Sequence, residues 1–307
     1  MLLDDAHILV TGGGGFVGVP TVRALLSEGA RVRVLDVASS QRLDGLDCEV
    51  IVADIADEAA VSAACEGIDG VMHLAVLPLV LANAELEAAF QANVRGSFNV
   101  FRAAGERGVK RVVYSSASSA YGPPLEVPIP ESHPLRPNAF YPATKAAAEM
   151  LLRGLAGFYG YSFAILRYMN VYGPGQRMGV VPAVARCLLA GERPRLTGDG
   201  SQGFDFVHIE DCARANLLAL GADVDGEDFN VGHGTSAPLN EVVGLMGELL
   251  GVRPDPIYDG PMVSATPRVG DVAKPQAMLG FSAEIALRDG LAGVLDELRE
   301  AQTAEVL

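Results

Sequence analysis

Short apolar runs alternate with amphipathic stretches over about the first 170 residues of the chain. An apolar run bounded by glycine or polar positions is typical of a buried strand, and apolar positions three or four apart are typical of a helix. The pattern predicts strands at 8–10, 31–35, 49–53, 70–74, 111–114 and 162–167, a loop at 75–81, and helices ending at 29 or spanning about 57–65, 84–107 and 142–159. We therefore expect an α/β fold with a Rossmann-type, doubly wound parallel sheet that binds ligands at the carboxyl ends of its strands.

The pattern changes after Tyr172, where Gly173, Pro174 and Gly175 interrupt it. The remaining chain mixes glycine- and proline-rich loops with short predicted helices at about 181–190, 211–220, 239–250 and 283–299. We predict a smaller, mixed α/β substrate-binding lobe made of residues 173–202 and 236–307. Residues 1–172, joined by about 203–235, would form the cofactor-binding domain.

The composition narrows the classes of partner. A formal charge of −15 argues against nucleic acid or an anionic membrane as the main partner. The four cysteines have no CxxC spacing, so we expect neither a disulfide framework nor a metal site. The start of the chain does not resemble a signal peptide, and the most apolar window, 71–82, is too short to span a bilayer. A cytoplasmic protein is expected.

A glycine cluster follows the first predicted strand and leads into a helix. Gly12 suits the tight turn, Gly15 lets backbone N–H groups approach a pyrophosphate, and Gly18 allows close packing of helix and strand. The helix N-terminus adds free N–H donors and a positive dipole end. Asp36 ends the second predicted strand, 24 residues after Gly12, near the spacing at which a carboxylate binds an adenosine ribose. Because this carboxylate repels a ribose 2′-phosphate, the residues favour NAD over NADP.

A tyrosine and a lysine four positions apart form the second candidate site. If a helix begins near Pro142, then Tyr141 and Lys145 lie on one face of it. A phenol has a pKa of about 10, and a neighbouring ammonium would lower that pKa and favour the phenolate. Tyr141 would then remove a hydroxyl proton from a substrate while a nicotinamide accepts hydride.

The combination of motifs resembles the extended short-chain dehydrogenases/reductases, in the branch of NAD-dependent nucleotide-sugar epimerases and dehydratases. The matching stretches cover nearly the whole chain: TGGGGFVG at 11–18, Asp36, Asp54 with Ile55, HLA at 73–75, Asn93 with Val94 and Gly96, Tyr121 with Gly122, YPATK at 141–145, LRYMNVYGPGQ at 166–176, GDGSQ at 198–202 and DFVHIED at 205–211.

The resemblance implies roles for individual residues. The residues that would hold NAD border the glycine loop or follow the strands: Gly12, Gly15, Phe16, Val17, Gly18, Asp36, Asp54, Ile55, Leu74, Ala75, Val76, Asn93, Tyr141 and Lys145. A nucleotide sugar would be bound by Asn170, Val180, Leu196 and Arg268. Among these, Leu196 would flank the base and Arg268 would contact the diphosphate.

Two positions depart from the pattern of the family. Relatives usually carry a catalytic serine or threonine where this chain has Ala117, so Ser116 and Ser118 are the candidates for the missing catalytic hydroxyl. Relatives often carry an arginine that clamps the diphosphate where this chain has Phe204, which cannot act as a bidentate guanidinium.

The resemblance implies an NAD-dependent 4-epimerase, acting on a UDP-sugar through a transient 4-keto intermediate. The alternatives are a nucleotide-sugar dehydratase or uronate decarboxylase, an alcohol dehydrogenase or ketoreductase on a non-nucleotide substrate, and a non-catalytic NAD-binding protein. In relatives the long helices predicted at 84–107 and 142–159 pair across a twofold axis, so we also expect a homodimer.

Overall fold

The computed structural model describes residues 1–261 and 266–306. The strands in this part of the chain are β1 (His7–Thr11), β2 (Arg31–Asp36), β3 (Cys48–Val52), β4 (Gly70–His73), β5 (Arg111–Ala117), β6 (Ser162–Tyr168), β7 (Asn170–Tyr172), β8 (Arg195–Thr197), β9 (Gly203–Phe204), β10 (Phe206–His208), β11 (Glu227–Val231), β12 (Ala237–Pro238) and β13 (Ile257–Asp259). The helices are α1 (Gly18–Ser27), α2 (Glu58–Ala64), α3 (Leu79–Ala84), α4 (Leu86–Phe90), α5 (Ser97–Glu106), α6 (Phe140–Tyr159), α7 (Val180–Leu189), α8 (Ile209–Gly221), α9 (Leu239–Leu250), α10 (Ala273–Leu279) and α11 (Leu287–Val306).

The main sheet has seven parallel strands in the order β3-β2-β1-β4-β5-β6-β11. Its central strands are apolar on both faces, because helices cover both sides of a parallel sheet. α1 and α8 lie on one face, where Val10, Val22 and Leu220 share a core, and α2, α5 and α6 cover the other. The direction of strand order reverses between β1 and β4, which places a ligand crevice at their carboxyl ends. The predicted doubly wound α/β fold is confirmed.

The seventh strand, β11, is not predicted by the apolar pattern, because its sequence begins with the acidic pair Glu227 and Asp228. β11 is the edge strand next to β6, and its charges are neutralised by cations of neighbouring elements. Lys274 pairs with Glu227, and Arg153 pairs with Asp228. The edge position therefore explains why an acidic segment joins the sheet.

The segment after β4 also differs from the prediction. The end of the predicted loop at 75–81 is helical, since α3 begins at Leu79, and the predicted helix 84–107 is interrupted by a π-helical turn at Gln91–Gly96. Asn93 lies in this turn and exchanges two hydrogen bonds with the backbone of Leu77, which ties the wider turn to the chain leaving β4. Such π turns occur frequently at functional sites.

Two boundaries near the second candidate site are shifted. β5 runs on to Ala117, because Ser115–Ala117 continue the parallel ladder with Leu166–Tyr168 of β6, so Ser115 and Ser116 are strand residues instead of loop residues. α6 begins at Phe140 and therefore includes Tyr141.

The second half of the chain forms a further core from α7, α9 and α11, beside the short strand pairs β8/β13 and β9/β12. The predicted division of the chain into two lobes stays a prediction. Among the described residues, no helix is long and apolar enough to cross a membrane.

Candidate functional site

The glycine loop connects β1 to α1 and lies against the chain that leaves β4. Gly12 has a positive φ of 69°, and a Cβ at this position would lie 2.7 Å from the backbone nitrogen of Ala75. A Cβ on Gly18 would collide with the carbonyl oxygen of Gly12. A side chain at either position would therefore push the loop away from the switch point of the sheet, which is the physical reason for these two glycines.

The N-terminus of α1 carries free donors. Its N-cap residue, Val17, makes no side-chain capping hydrogen bond, and within the described chain the N–H groups of Phe16 and Val17 have no acceptor. Gly15 is exposed beside them. An uncapped helix start behind an open glycine loop fits the pyrophosphate of a dinucleotide.

Asp36 lies at the carboxyl end of β2, next to the same loop. Its Oδ2 accepts a hydrogen bond from the Gly14 N–H at 2.9 Å, and Ser40 Oγ donates to the Gly14 carbonyl at 3.1 Å. The carboxylate is thus held beside the glycine loop, where the resemblance expects an adenosine ribose. Asp54 and Ile55 follow β3 at the same edge of the sheet; Asp54 is exposed, whereas Ile55 is buried against Gly96.

The residues expected to line the rest of the cofactor follow β4. Leu74 is buried, and Ala75 and Val76 are partly exposed beside the glycine loop. Asn93 connects this segment to α6, because its Nδ2 also donates to Thr144 Oγ1 at 3.2 Å. Asn93 therefore lies next to the turn of α6 that carries Lys145.

We predict a strong preference for NAD, which the Asp36→Ala variant would weaken. A hydrogen bond to a charged group contributes about 1.5–3 kcal/mol, so the variant should bind NAD about 10- to 100-fold more weakly. It should also lose part of its discrimination against NADP, because the repelling carboxylate is gone. Titration calorimetry with both cofactors on wild type and variant measures this. An unchanged NAD affinity would remove Asp36 from the site.

Tyr141 and Lys145 lie one turn apart near the start of α6. Lys145 is 2% exposed; its Nζ donates to the Ser115 carbonyl at 2.5 Å and lies 4.5 Å from the centre of the Tyr114 ring. Burial lowers the pKa of Lys145 to about 7, against an opposing effect of the Glu149 carboxylate. Burial also raises the pKa of Tyr141 to about 12.

The expectation that Lys145 lowers the pKa of Tyr141 stays a prediction, because burial dominates in the chain without cofactor and raises that pKa. The Lys145 ammonium donates to the Ser115 carbonyl, and the burial of Tyr141 favours its neutral form. The two residues are nevertheless on one helix face, as the spacing predicts.

The structure separates the two serine candidates. Ser116 Oγ donates to Glu149 Oε1 at 2.5 Å and is fully engaged in the interior. Ser118 begins the 3-10 turn after Ala117; it is buried, and its Oγ has no partner among the described residues. The neighbouring Ser119 Oγ is likewise buried without a partner within the described part of the chain. The Ser118 hydroxyl therefore has no internal partner in the described chain, whereas the Ser116 hydroxyl is bound to Glu149.

The four predicted substrate-binding residues do not all lie at an accessible site. Asn170 begins β7 and is partly exposed, and Val180, partly exposed as well, begins α7. Leu196 is 2% exposed and packs in the core around α7 and α9, so its side chain is not placed to flank a base; the cause is that β8 turns its alternate residues, Arg195 and Thr197, outward.

Arg268 is the residue that the resemblance expects to contact a diphosphate. It is half-buried, pairs by backbone with Phe204, and forms no ion pair with any described residue. Burial lowers its pKa, as expected for a guanidinium without an anionic partner. Arg195 of β8, by contrast, is paired with Asp259. Phe204 packs on Phe206 in the smaller core.

Glu149 and Arg167 form a buried ion pair that the sequence analysis does not predict. Arg167 Nη2 binds Glu149 Oε2 at 2.7 Å, and both side chains are almost completely buried. The position of Glu149 four residues after Lys145 is the available signal, since residues so spaced share a helix face. An acid one turn beyond a lysine is, however, equally typical of an ordinary helix surface, so the spacing alone does not reveal the pair.

Comparison with known proteins decides the family. A model of the "NAD dependent epimerase/dehydratase family" matches residues 8–232. The chain belongs to this family. Members of the family that resemble it include the UDP-glucose 4-epimerase of Mycolicibacterium smegmatis, 32% identical over 307 residues, which covers 95% of this chain and 98% of the relative.

Solved structures of epimerases of this family have the same fold. The UDP-glucose 4-epimerase of Thermotoga maritima, crystallised with UDP-glucose, has a TM-score of 0.91 and 32% identity, covering 96% of this chain and 99% of that one. The UDP-glucose 4-epimerase of Thermus thermophilus, in complex with NAD, has a TM-score of 0.87 and 29% identity, covering 96% and 99%. Each match covers 96% of this chain, so it extends over both the glycine loop and most of the smaller core.

Proposed function

We propose that the chain is an NAD-dependent 4-epimerase of UDP-sugars, and that it acts through a transient 4-keto intermediate. The observation that carries this proposal is the attachment of α6, which carries Tyr141, to the carboxyl end of β5 through Lys145, directly before the turn that begins with Ser118. Relatives that match most of the chain and are named as UDP-glucose 4-epimerases support it.

The residues fit NAD. The uncapped start of α1 with Phe16 and Val17 would bind the pyrophosphate, and Asp36 would bind the adenosine ribose. Leu74, Ala75 and Val76 would border the nicotinamide half. When bound, NAD⁺ would accept hydride from C4 of the sugar and return it to the other face, and its positive ring would favour the Tyr141 phenolate.

The residues of the chain then handle the proton and the substrate. Tyr141 would take the proton of the 4-hydroxyl and give it back after the 4-keto sugar has rotated. The Lys145 ammonium, fixed by the Ser115 carbonyl, would stabilise the phenolate during transfer. Ser118 would donate a hydrogen bond to the 4-oxygen, a contact whose loss costs about 10²- to 10³-fold in rate. Asn170 and Arg268 would bind the sugar or its diphosphate.

The assay that tests the function starts from UDP-glucose with NAD. The expected result is UDP-galactose up to equilibrium with no net NADH absorbance, because the redox steps cancel. Stoichiometric NADH would instead indicate an alcohol dehydrogenase or ketoreductase. NAD binding without turnover of any sugar nucleotide would indicate a binding protein.

Product analysis distinguishes two further alternatives from the epimerase. A 4,6-dehydratase gives a 4-keto-6-deoxy sugar, and relatives that dehydrate use an acidic pair where this chain has Ser118 and Ser119, which favours the epimerase. A uronate decarboxylase would release CO₂ from UDP-glucuronate. A thermal-shift panel of UDP, dTDP and GDP sugars identifies the base, since a ligand at 100 times its Kd stabilises the fold by about 2.7 kcal/mol.

We also predict a homodimer built on α4, α5 and α6. Three large apolar side chains on α4 and α6 are exposed in the single chain: Phe90, Met150 at 53% and Phe158 at 79%. Burying this area in a twofold four-helix contact would remove it from water. Light scattering at micromolar concentration should give twice the chain mass, and a monomer mass would contradict the prediction. A cytoplasmic location likewise stays a prediction.

A further inference from the structure

Two consecutive residues of β5 are attached to two residues of α6. The Ser115 carbonyl accepts a hydrogen bond from Lys145 Nζ, and the Ser116 hydroxyl donates one to Glu149 Oε1, both at 2.5 Å. Lys145 and Glu149 are one helical turn apart and face the same strand. The end of β5 is therefore fixed against the helix that carries Tyr141.

Glu149 has a fixed orientation because both of its oxygens are bound. Arg167 donates to Oε1 from Nε at 3.1 Å and to Oε2 from Nη2 at 2.7 Å, while Ser116 occupies the remaining direction of Oε1. The same guanidinium also binds Asp228 Oδ2 and the Tyr121 hydroxyl. Because this buried carboxylate is held on both sides, a shift of α6 would also shift the end of β5.

The position of Ser118 depends on this attachment. Only Ala117 separates Ser116 from Ser118, and the chain turns directly after Ala117. Since Ser118 Oγ has no partner of its own among the described residues, only the backbone of the turn fixes where this side chain is attached.

We propose that Glu149 is a positioning residue, which acts through Ser116 to hold the Ser118 turn opposite Tyr141. The proposal rests on the proposed function, since it concerns the geometry of that site. Glu149 itself is buried behind Ser116 and does not act on the sugar.

The negative charge of Glu149 also acts on Lys145, the second residue of the Tyr141 site. Lys145 is faced by Tyr114 of β5, by His73 of β4, and by Tyr141 and Glu149 of its own helix. Burial keeps the first two neutral, since it raises the pKa of Tyr114 and lowers the pKa of His73 to about 3. Glu149 therefore supplies the negative charge that opposes deprotonation of Lys145.

The test compares Ser116→Ala, Ser116→Thr and Glu149→Gln by kcat and KM for UDP-glucose. Ser116→Ala and Glu149→Gln should each lower kcat about 10-fold, with KM changed less than twofold, and Ser116→Thr should restore kcat because it retains the hydroxyl. In Glu149→Gln, the alkaline limb of the kcat profile should move to lower pH, because Lys145 loses the neighbouring negative charge. Ser116→Ala leaves that charge in place and should not move the limb.

Asp228→Asn is the matched control. It removes another carboxylate partner of Arg167 without touching Ser116, so it should lower the melting temperature but leave kcat within about twofold. An equal loss of kcat in Asp228→Asn would mean that the network is only structural. A loss of 10²-fold or more in Ser116→Ala, with Glu149→Gln close to wild type, would make Ser116 itself the catalytic hydroxyl.

A measurement that needs no substrate distinguishes failure of this proposal from failure of the proposed function. Amide hydrogen exchange of residues 115–122 should become faster in Ser116→Ala and Glu149→Gln but not in Asp228→Asn. If wild type turns over no UDP-sugar, the proposed function fails while this exchange result still decides whether Glu149 positions the turn. Unchanged exchange in Ser116→Ala would overturn the positioning role. This variant removes a single hydroxyl and keeps the Glu149–Arg167 pair, so it also serves if Glu149→Gln does not fold.

Discussion

Tyr141→Phe is expected to lower kcat for UDP-glucose epimerisation by about 10³- to 10⁴-fold and to leave the fold intact. The variant removes the only atom that the proposed mechanism uses to take the proton of the 4-hydroxyl, and general base catalysis contributes up to about 10⁴-fold. The Tyr141 hydroxyl has no side-chain hydrogen bond within the described residues, so phenylalanine keeps the ring contacts and loses no internal bond.

The control for Tyr141→Phe is Tyr161→Phe. The Tyr161 hydroxyl is buried without a hydrogen-bond partner in the described chain, so its loss removes the same atom at a place remote from the proposed chemistry. Its kcat should equal that of wild type. If Tyr141→Phe retains more than about a tenth of wild-type kcat, then Tyr141 is not the base. NAD affinity, measured in parallel by calorimetry, should change little.

The strand and glycine patterns were sufficient for the fold because they describe the buried centre of the sheet. β1 and β4 are apolar on both faces, and Gly12 and Gly18 are required by contacts of the backbone itself. The apolar pattern does not predict β11, because its acidic side chains are neutralised by Arg153 and Lys274 from other elements. Edge strands depend on partners that sequence periodicity does not reveal.

The site was predictable where one element sets the geometry. Tyr141 and Lys145 share a helix face, so their spacing placed them correctly. The pKa of Tyr141 depends on the burial of the phenol in the folded chain, which the spacing does not reveal. The choice between Ser116 and Ser118 likewise depends on Glu149, a contact between a strand and a helix. Leu196 faces inward because of the packing of the smaller core.

Lys145→Met is expected to lower kcat by about 10²- to 10³-fold, since the phenolate of Tyr141 loses its stabilising cation. Methionine fills a similar volume, so the buried position should remain packed. Lys110→Met is the control, because it removes an exposed ammonium that pairs with Asp69 at the surface. That variant should retain wild-type kcat. Steady-state kinetics below pH 7, where Lys145 carries its charge, measures both.

The same variant should change how stability depends on pH. Burial lowers the pKa of Lys145 to about 7 in the folded protein, from an ordinary value of 10.5 that applies to the unfolded chain. Between these values the unfolded chain binds one more proton, so this group makes the free energy of unfolding rise with pH, by about 1.4 kcal/mol per unit. Below pH 7 both states are protonated and the contribution is constant.

Lys145→Met removes this contribution, so the variant should be the more stable protein at neutral pH, and its advantage over wild type should shrink as pH rises toward 10.5. Urea unfolding of both proteins without cofactor, at several values between pH 7.5 and 9.5, measures the difference directly. The free energy of unfolding of Lys110→Met should change with pH in the same way as that of wild type over this range. A constant difference between Lys145→Met and wild type would mean that Lys145 keeps an ordinary pKa, and its ammonium would then be fully charged at neutral pH whether or not Glu149 is present.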